Sequence, residues 1–87
     1  MGKYKLIFRS SVAKDMHRLP NKDVSRILTR INQLSENPRG SGCEKLTEQE
    51  RYRVRQGNYR IIYEIHDEAV VVEIVQVGHR REIYRKT

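Results

Sequence analysis

Apolar and polar residues alternate from the start of the chain. Tyr4, Leu6 and Phe8 fall on one side and Lys5, Ile7 and Arg9 on the other, the period of two of a β-strand. Ser10 and Ser11 follow, residues whose hydroxyls suit helix caps. Val12, Met16 and Leu19 then recur at i, i+4 and i+7 along one helical face. Pro20 ends that helix, and Asn21 is placed to cap a second. Val24, Ile27, Leu28, Ile31 and Leu34 make an apolar stripe, while Lys22, Arg26 and Arg30 face elsewhere. Asn37-Pro38 stops this helix. Two helices joined so closely predict an antiparallel hairpin.

Residues 37–50 show no period and include Gly40, Ser41 and Gly42, the pattern of a long loop. Three strands are predicted beyond it, over 51–56, 59–65 and 69–77. Gly57-Asn58 makes a two-residue hairpin turn between the first two, and Asp67-Glu68 a turn between the last two. Gly78 is expected to break the last strand, leaving 79–87 as a short basic tail. The order is βαα-βββ. It predicts an α+β fold in which an N-terminal strand and a helical hairpin precede an antiparallel three-strand meander. One sheet results, with both helices on one face. At 87 residues the expectation is one domain, 1–87, with a modest core.

Charge sharpens this picture. Lys and Arg number 18 against 11 Asp and Glu, a net charge of +7. So basic a small domain implies a polyanionic partner. The longest aliphatic run, Ala69-Val70-Val71-Val72, is far short of a membrane span, so no membrane partner is expected. The N-terminus lacks the apolar segment of a signal peptide. Cys43, the single cysteine, excludes an internal disulfide and fits a reducing, cytoplasmic setting. Three scattered histidines beside one cysteine show no metal-ligand spacing, so neither a metal nor another cofactor is expected.

The Gly57-Asn58 turn sets a register. Gln56 faces Tyr59, Arg55 faces Arg60, Val54 faces Ile61, Arg53 faces Ile62, Tyr52 faces Tyr63 and Arg51 faces Glu64. Alternation then puts Arg51, Arg53, Arg55 and Arg60 on one face. Tyr52, Val54, Ile61, Tyr63 and Ile65 take the other, where the helices can meet them. Alternate arginines on a strand stand roughly 7 Å apart, near the spacing of phosphates along a nucleic-acid strand. Arg55 opposite Arg60 is a destabilising like-charge pair, best explained by an anion gripped between two guanidinium forks. Arg51 is expected to pair with Glu64 at the margin of this surface. Ile62, Val71 and Val75 share the arginine face in the same register, as a groove floor or as surface covered by a partner.

The tail from Gly78 to Arg85 adds His79, Arg80, Arg81 and Tyr84. Tyr84 can stack on a base, or its phenol can move a proton with its pKa lowered by the surrounding charge. Packing at the sheet edge is the structural alternative. His79 is a second proton-transfer candidate. Cys43 has no histidine at readable spacing, His17 beside helical Met16 is expected to be exposed or partly buried, and His66 next to a turn is expected to be solvated. No phosphate-binding glycine loop or nucleophile elbow is present.

The run from Tyr52 to Tyr63, with Arg53, Arg55, Gly57-Asn58 and Arg60, is followed by Val77-Gly78-His79-Arg80-Arg81-Glu82-Ile83-Tyr84. Phe8-Arg9-Ser10-Ser11-Val12-Ala13-Lys14-Asp15 leads into the helices. In this order and spacing the chain resembles, over nearly its whole length, the RelE/ParE superfamily of toxins from toxin–antitoxin pairs. The resemblance implies the fold above. For the RelE branch it implies a metal-independent endoribonuclease that cuts mRNA in the A site of a 70S-type ribosome, with a cognate antitoxin as hetero-oligomeric partner. Carried over by position, the catalytic set falls on Arg53, Arg55, Arg60, Arg80 and Tyr84, with His79 in reserve. Arg51, Arg81 and Lys45 are further RNA contacts. The alternating basic positions are lysines in the family's best-known members. Here they are Arg53 and Arg55, which cannot give up a proton, so the general base is open between Tyr84, His79 and Glu82. A ParE-type gyrase inhibitor and a non-catalytic RNA-binding module are the alternatives.

Overall fold

The computed structural model describes residues 3–46 and 51–79. The elements are β1 (Lys5–Phe8), α1 (Ser10–His17), α2 (Asn21–Glu36), β2 (Glu44–Lys45), β3 (Arg51–Gln56), β4 (Tyr59–His66) and β5 (Val71–His79). One five-stranded sheet has the order β1-β5-β4-β3-β2. The α+β architecture read from the sequence holds, with two additions. The two-residue β2 joins the sheet edge inside the expected loop, pairing Glu44 with Arg53 and Lys45 with Tyr52. The N-terminal β1 runs parallel to β5, Leu6 beside Val72 and Phe8 beside Ile74.

Both helices cover the same face, α1 against β5 and α2 against β1, β3 and β4. Val12, Ile27, Ile31 and Leu34 meet Val54, Ile61, Tyr63, Ile65, Val72, Ile74 and Val77 in one buried cluster. Leu28, counted in the apolar stripe, lies at its margin and is exposed. Neither helix carries the expected side-chain cap. Arg9 and Pro20 stand at the N-cap positions in extended conformation, without a capping bond, and Ser10 and Asn21 are already the first helical residues. Among the described residues no helix is long and apolar enough to cross a membrane.

The β3–β4 register is the one predicted from Gly57-Asn58, Gln56 opposite Tyr59 through Arg51 opposite Glu64. Gly57 takes φ +59, which a primed hairpin turn requires and glycine adopts without strain. Three features of β5 depart from expectation. The β4–β5 connection is not a two-residue turn. A 3₁₀ turn, Asp67–Ala69, is closed by Val70 at φ 54. Second, Ile62 faces Gln76 while its neighbour Tyr63 faces Ile74, so Val75 is an extra residue in a β-bulge. The bulge shifts the phase, so that Gln76 stands opposite Ile62 and Gly78 opposite Arg60, where plain alternation had put Val75 on the arginine face. Third, Gly78 does not end the strand. It pairs with Arg60 inside the ladder.

Loop 37–39 is tied to the sheet from below. The buried Tyr63 hydroxyl donates to the Pro38 carbonyl at 2.6 Å. Burial, with the Cys43 thiol beside it, holds its phenol far above the ordinary range, so it stays a donor. Its ring stacks on Tyr52, centroids 5.7 Å apart. Tyr63→Phe is expected to strand that carbonyl and cost about 1–3 kcal/mol. Urea denaturation checks this, and a variant as stable as the parent would remove the tie.

Candidate nucleic-acid interface

The face of the sheet away from the helices is built in cross-strand rows. Arg55, Arg60 and Gly78 form one row, and Glu44, Arg53, Ile62 and Gln76 the next. Arg51, Glu64, Glu73 and Ile7 form a third. The strand period puts every member of these rows on one side.

Arg60 is the decisive side chain of the first row. It is 2 % exposed, while Arg55 opposite is exposed to solvent. Gly78 on its other flank contributes no side chain. Burying a guanidinium is costly, and folds accept that cost where the charge is held in a defined place. In the second row Arg53 forms an ion pair with Glu44 of β2, a partner invisible to a reading that placed 44 in a loop. Ile62 beneath it is 5 % exposed. It is a floor of this surface, already covered by the chain itself.

The third row is self-neutralised. The Arg51 Nε donates to Glu64 at 3.1 Å, the pair expected from the register. The Arg9 Nε donates to Glu73 at 2.7 Å. His66 Nε2 lies 3.1 Å from Glu73 and 3.7 Å from Glu64. The Arg9 bond, then the His66 bond, hold the Glu73 carboxyl below the usual range. Among the described residues Glu64, His66 and Glu73 could reach a common metal ion, their ligand atoms lying within 4.8 Å of one another. Each carboxylate already holds a guanidinium there.

The proton-transfer candidates are sorted by the same geometry. His79 pairs with Tyr59, not with the arginine rows, and its ring meets the Tyr59 ring edge-on at 5.9 Å. The Val75 bulge sets this phase, and His79 stands on the face opposite to Arg60. Tyr59 itself donates to Asp23 of α2 at 2.9 Å, a bond that raises its pKa first, with burial second. Lys45 is exposed on β2, at the sheet edge. Arg80, Arg81, Glu82 and Tyr84 lie outside the described residues.

A family model described as "ParE toxin of type II toxin-antitoxin system, parDE" matches residues 6–84. The chain belongs to this toxin family. Within the RelE/ParE superfamily it is 32% identical over 85 residues to Toxin RelG of Mycobacterium tuberculosis, covering 95% of this chain and 98% of that one. Its fold matches the toxin–antitoxin complex RelBE2 of the same organism with a TM-score of 0.80 at 29% identity, over 92% of this chain and 94% of that chain. It matches the isolated RelE toxin of E. coli with a TM-score of 0.78 at 25% identity, over 95% and 93%. This ParE-family chain is therefore a RelE-like toxin of a type II toxin–antitoxin system.

Proposed function

We propose that this toxin is a ribosome-dependent endoribonuclease that cuts mRNA in the A site. The observation that carries the reading is the row Arg55–Arg60–Gly78, where a buried guanidinium sits opposite an exposed one. Two opposed arginines are tolerated where an anion lies between them, and a phosphodiester takes both forks.

RNA carries its own nucleophile. A base takes the proton of the 2′-hydroxyl, the 2′-oxygen forms a bond to the adjacent phosphorus, and the bond to the 5′-oxygen breaks as that oxygen takes up a proton. The products are a 2′,3′-cyclic phosphate and a 5′-hydroxyl. Arg53, Arg55, Arg60 and Arg80 bind the phosphate and stabilise the charge that builds on it, and Tyr84 is the proton acceptor. Arg51, Arg81 and Lys45 extend the RNA-binding surface. The arginines can orient RNA but cannot bend it into line by themselves, and a ribosome that presents the message pre-bent supplies that geometry. The cognate antitoxin is a protein partner, as in the solved RelBE complexes of M. tuberculosis and E. coli.

A second reading is a ParE-type inhibitor of DNA gyrase. The matching family model is named for ParE toxins. Brief induction followed by mapping of RNA ends separates the two. Expected are 5′-hydroxyl and cyclic-phosphate ends inside translated codons, lost when ribosomes are removed. Intact messages beside broken chromosomal DNA would establish the gyrase reading instead, and neither kind of break would leave an RNA-binding module.

A further inference from the structure

Strand β2 covers only Tyr52 and Arg53 of β3. Among the described residues β3 is the edge of the sheet from Val54 onward, with outward backbone groups that no strand there pairs. Beside it opens a groove of about 400 Å³, lined on one side by Arg53 and Arg55 and on the other by Arg30, Gly42 and Glu44. We infer that this groove seats a second phosphate of the same RNA strand, with Arg30 as its fixed cation. The inference rests on the RNA reading proposed above and extends it past the scissile phosphate.

Arg30 reaches the groove from α2, on the far side of the sheet from the arginine rows. Its guanidinium donates to the Gln33 side-chain oxygen at 2.9 Å and to the Ser41 carbonyl at 3.1 Å. Both acceptors are neutral. They orient the fork without cancelling its charge, and pre-orientation reduces the entropy lost when an anion binds. The loop is folded against it. Gly42 has φ +85, and a Cβ there would stand 3.5 Å from Arg30 Nη2. Arg55, across the groove, makes no ion pair among the described residues and is exposed. Arg53 is balanced by Glu44, so the surplus charge sits on Arg30 and Arg55. An RNA strand with one phosphate at the Arg55–Arg60 pair can run over the open edge and place a further phosphate by Arg30. Regularly spaced phosphates suit this row of cations better than a carboxylate peptide, whose charges follow no such spacing.

The test uses the full chain and a short single-stranded RNA carrying 2′-O-methyl groups throughout, so that it binds without being cut. Fluorescence anisotropy across a salt series gives affinity and its salt slope. Arg30→Gln is expected to weaken binding about three- to tenfold near 0.1 M salt and to reduce the log–log slope by about 0.7. Arg30→Lys should recover most of the affinity, and Lys14→Gln on α1 should change nothing. If Arg30→Gln melts below the assay temperature, Arg30→Met carries the same expectation. Wild-type affinity and slope in the neutral variants, with Arg55→Gln weakened, overturn the inference and leave the proposed function standing. If Arg55→Gln is also unchanged, the RNA reading of the whole face fails. Retained RNA binding with loss of binding to poly-glutamate would assign the groove to an acidic polypeptide and overturn the inference too.

Discussion

Tyr84→Phe is expected to slow cleavage of ribosome-bound message on the order of a hundredfold or more, with RNA affinity kept. The case is one of elimination among the described groups. Arg53 and Arg55 stand where a base could serve, but an arginine does not yield its proton. Glu44 is engaged by Arg53 and Glu64 by Arg51. Tyr59 spends its hydroxyl on Asp23, and His79 stands with Tyr59 in the ladder, out of phase with Arg60. Single-turnover cleavage on programmed ribosomes, beside binding, reads the outcome. If Tyr84 only stacks on a base, phenylalanine should substitute well and Tyr84→Ala should weaken binding by about 1–3 kcal/mol. A phenylalanine variant that cuts at the normal rate would move the proton-transfer role to His79, with His79→Gln the next protein to make.

Arg60→Gln is expected to lower cleavage by about a hundred- to a thousandfold, the usual scale for losing one preorganised charge stabiliser. Its effect on stability reverses a conclusion drawn from register alone. Two opposed arginines should repel, and removing one should then help the fold. Arg60, however, is 2 % exposed, with Gly78 opposite it in the ladder. A shorter side chain leaves part of that buried volume unfilled, at a cost of about 1–3 kcal/mol. Denaturation and single-turnover cleavage on the same preparation separate the two effects. A folded variant that cuts at the parent rate would remove Arg60 from the chemistry.

The β3–β4 hairpin was legible residue by residue because a two-residue turn leaves one register, and alternation then sorts every side chain. The α2 stripe was legible for the corresponding reason at period 3.6. What escaped has no period to show. Glu44–Lys45 is too short to alternate, yet it carries the ion-pair partner of Arg53. The parallel pairing of β1 with β5 joins segments more than sixty residues apart, and no local pattern announces it. The bulge at Val75 lies in Val71-Val72-Glu73-Ile74-Val75-Gln76-Val77, where apolar residues occupy both phases, so a one-residue slip leaves no gap in the pattern. Gly78 read as a breaker because a strand glycine looks the same whether it ends a ladder or stands inside one. The arginine face was therefore visible as a list of residues. The depth of Arg60, the side taken by His79 and the hold on Arg30 needed the packed structure.

The third row has a consequence for how a polyanion arrives. Arg9 and Arg51 are matched there by Glu73 and Glu64, so this row contributes little field at a distance and the exposed Lys5 of β1 is a charge beyond it. Arg55, Arg60 and Arg30 lie toward the other end and beyond the edge. The face is thus an electric dipole lying in the plane of the sheet, superimposed on the net positive charge. Such a field exerts a torque as well as a pull. On the RNA reading proposed above, it would turn the toxin before contact so that the cationic end leads. Encounters are biased in orientation at low ionic strength and lose that bias as salt shortens the screening length.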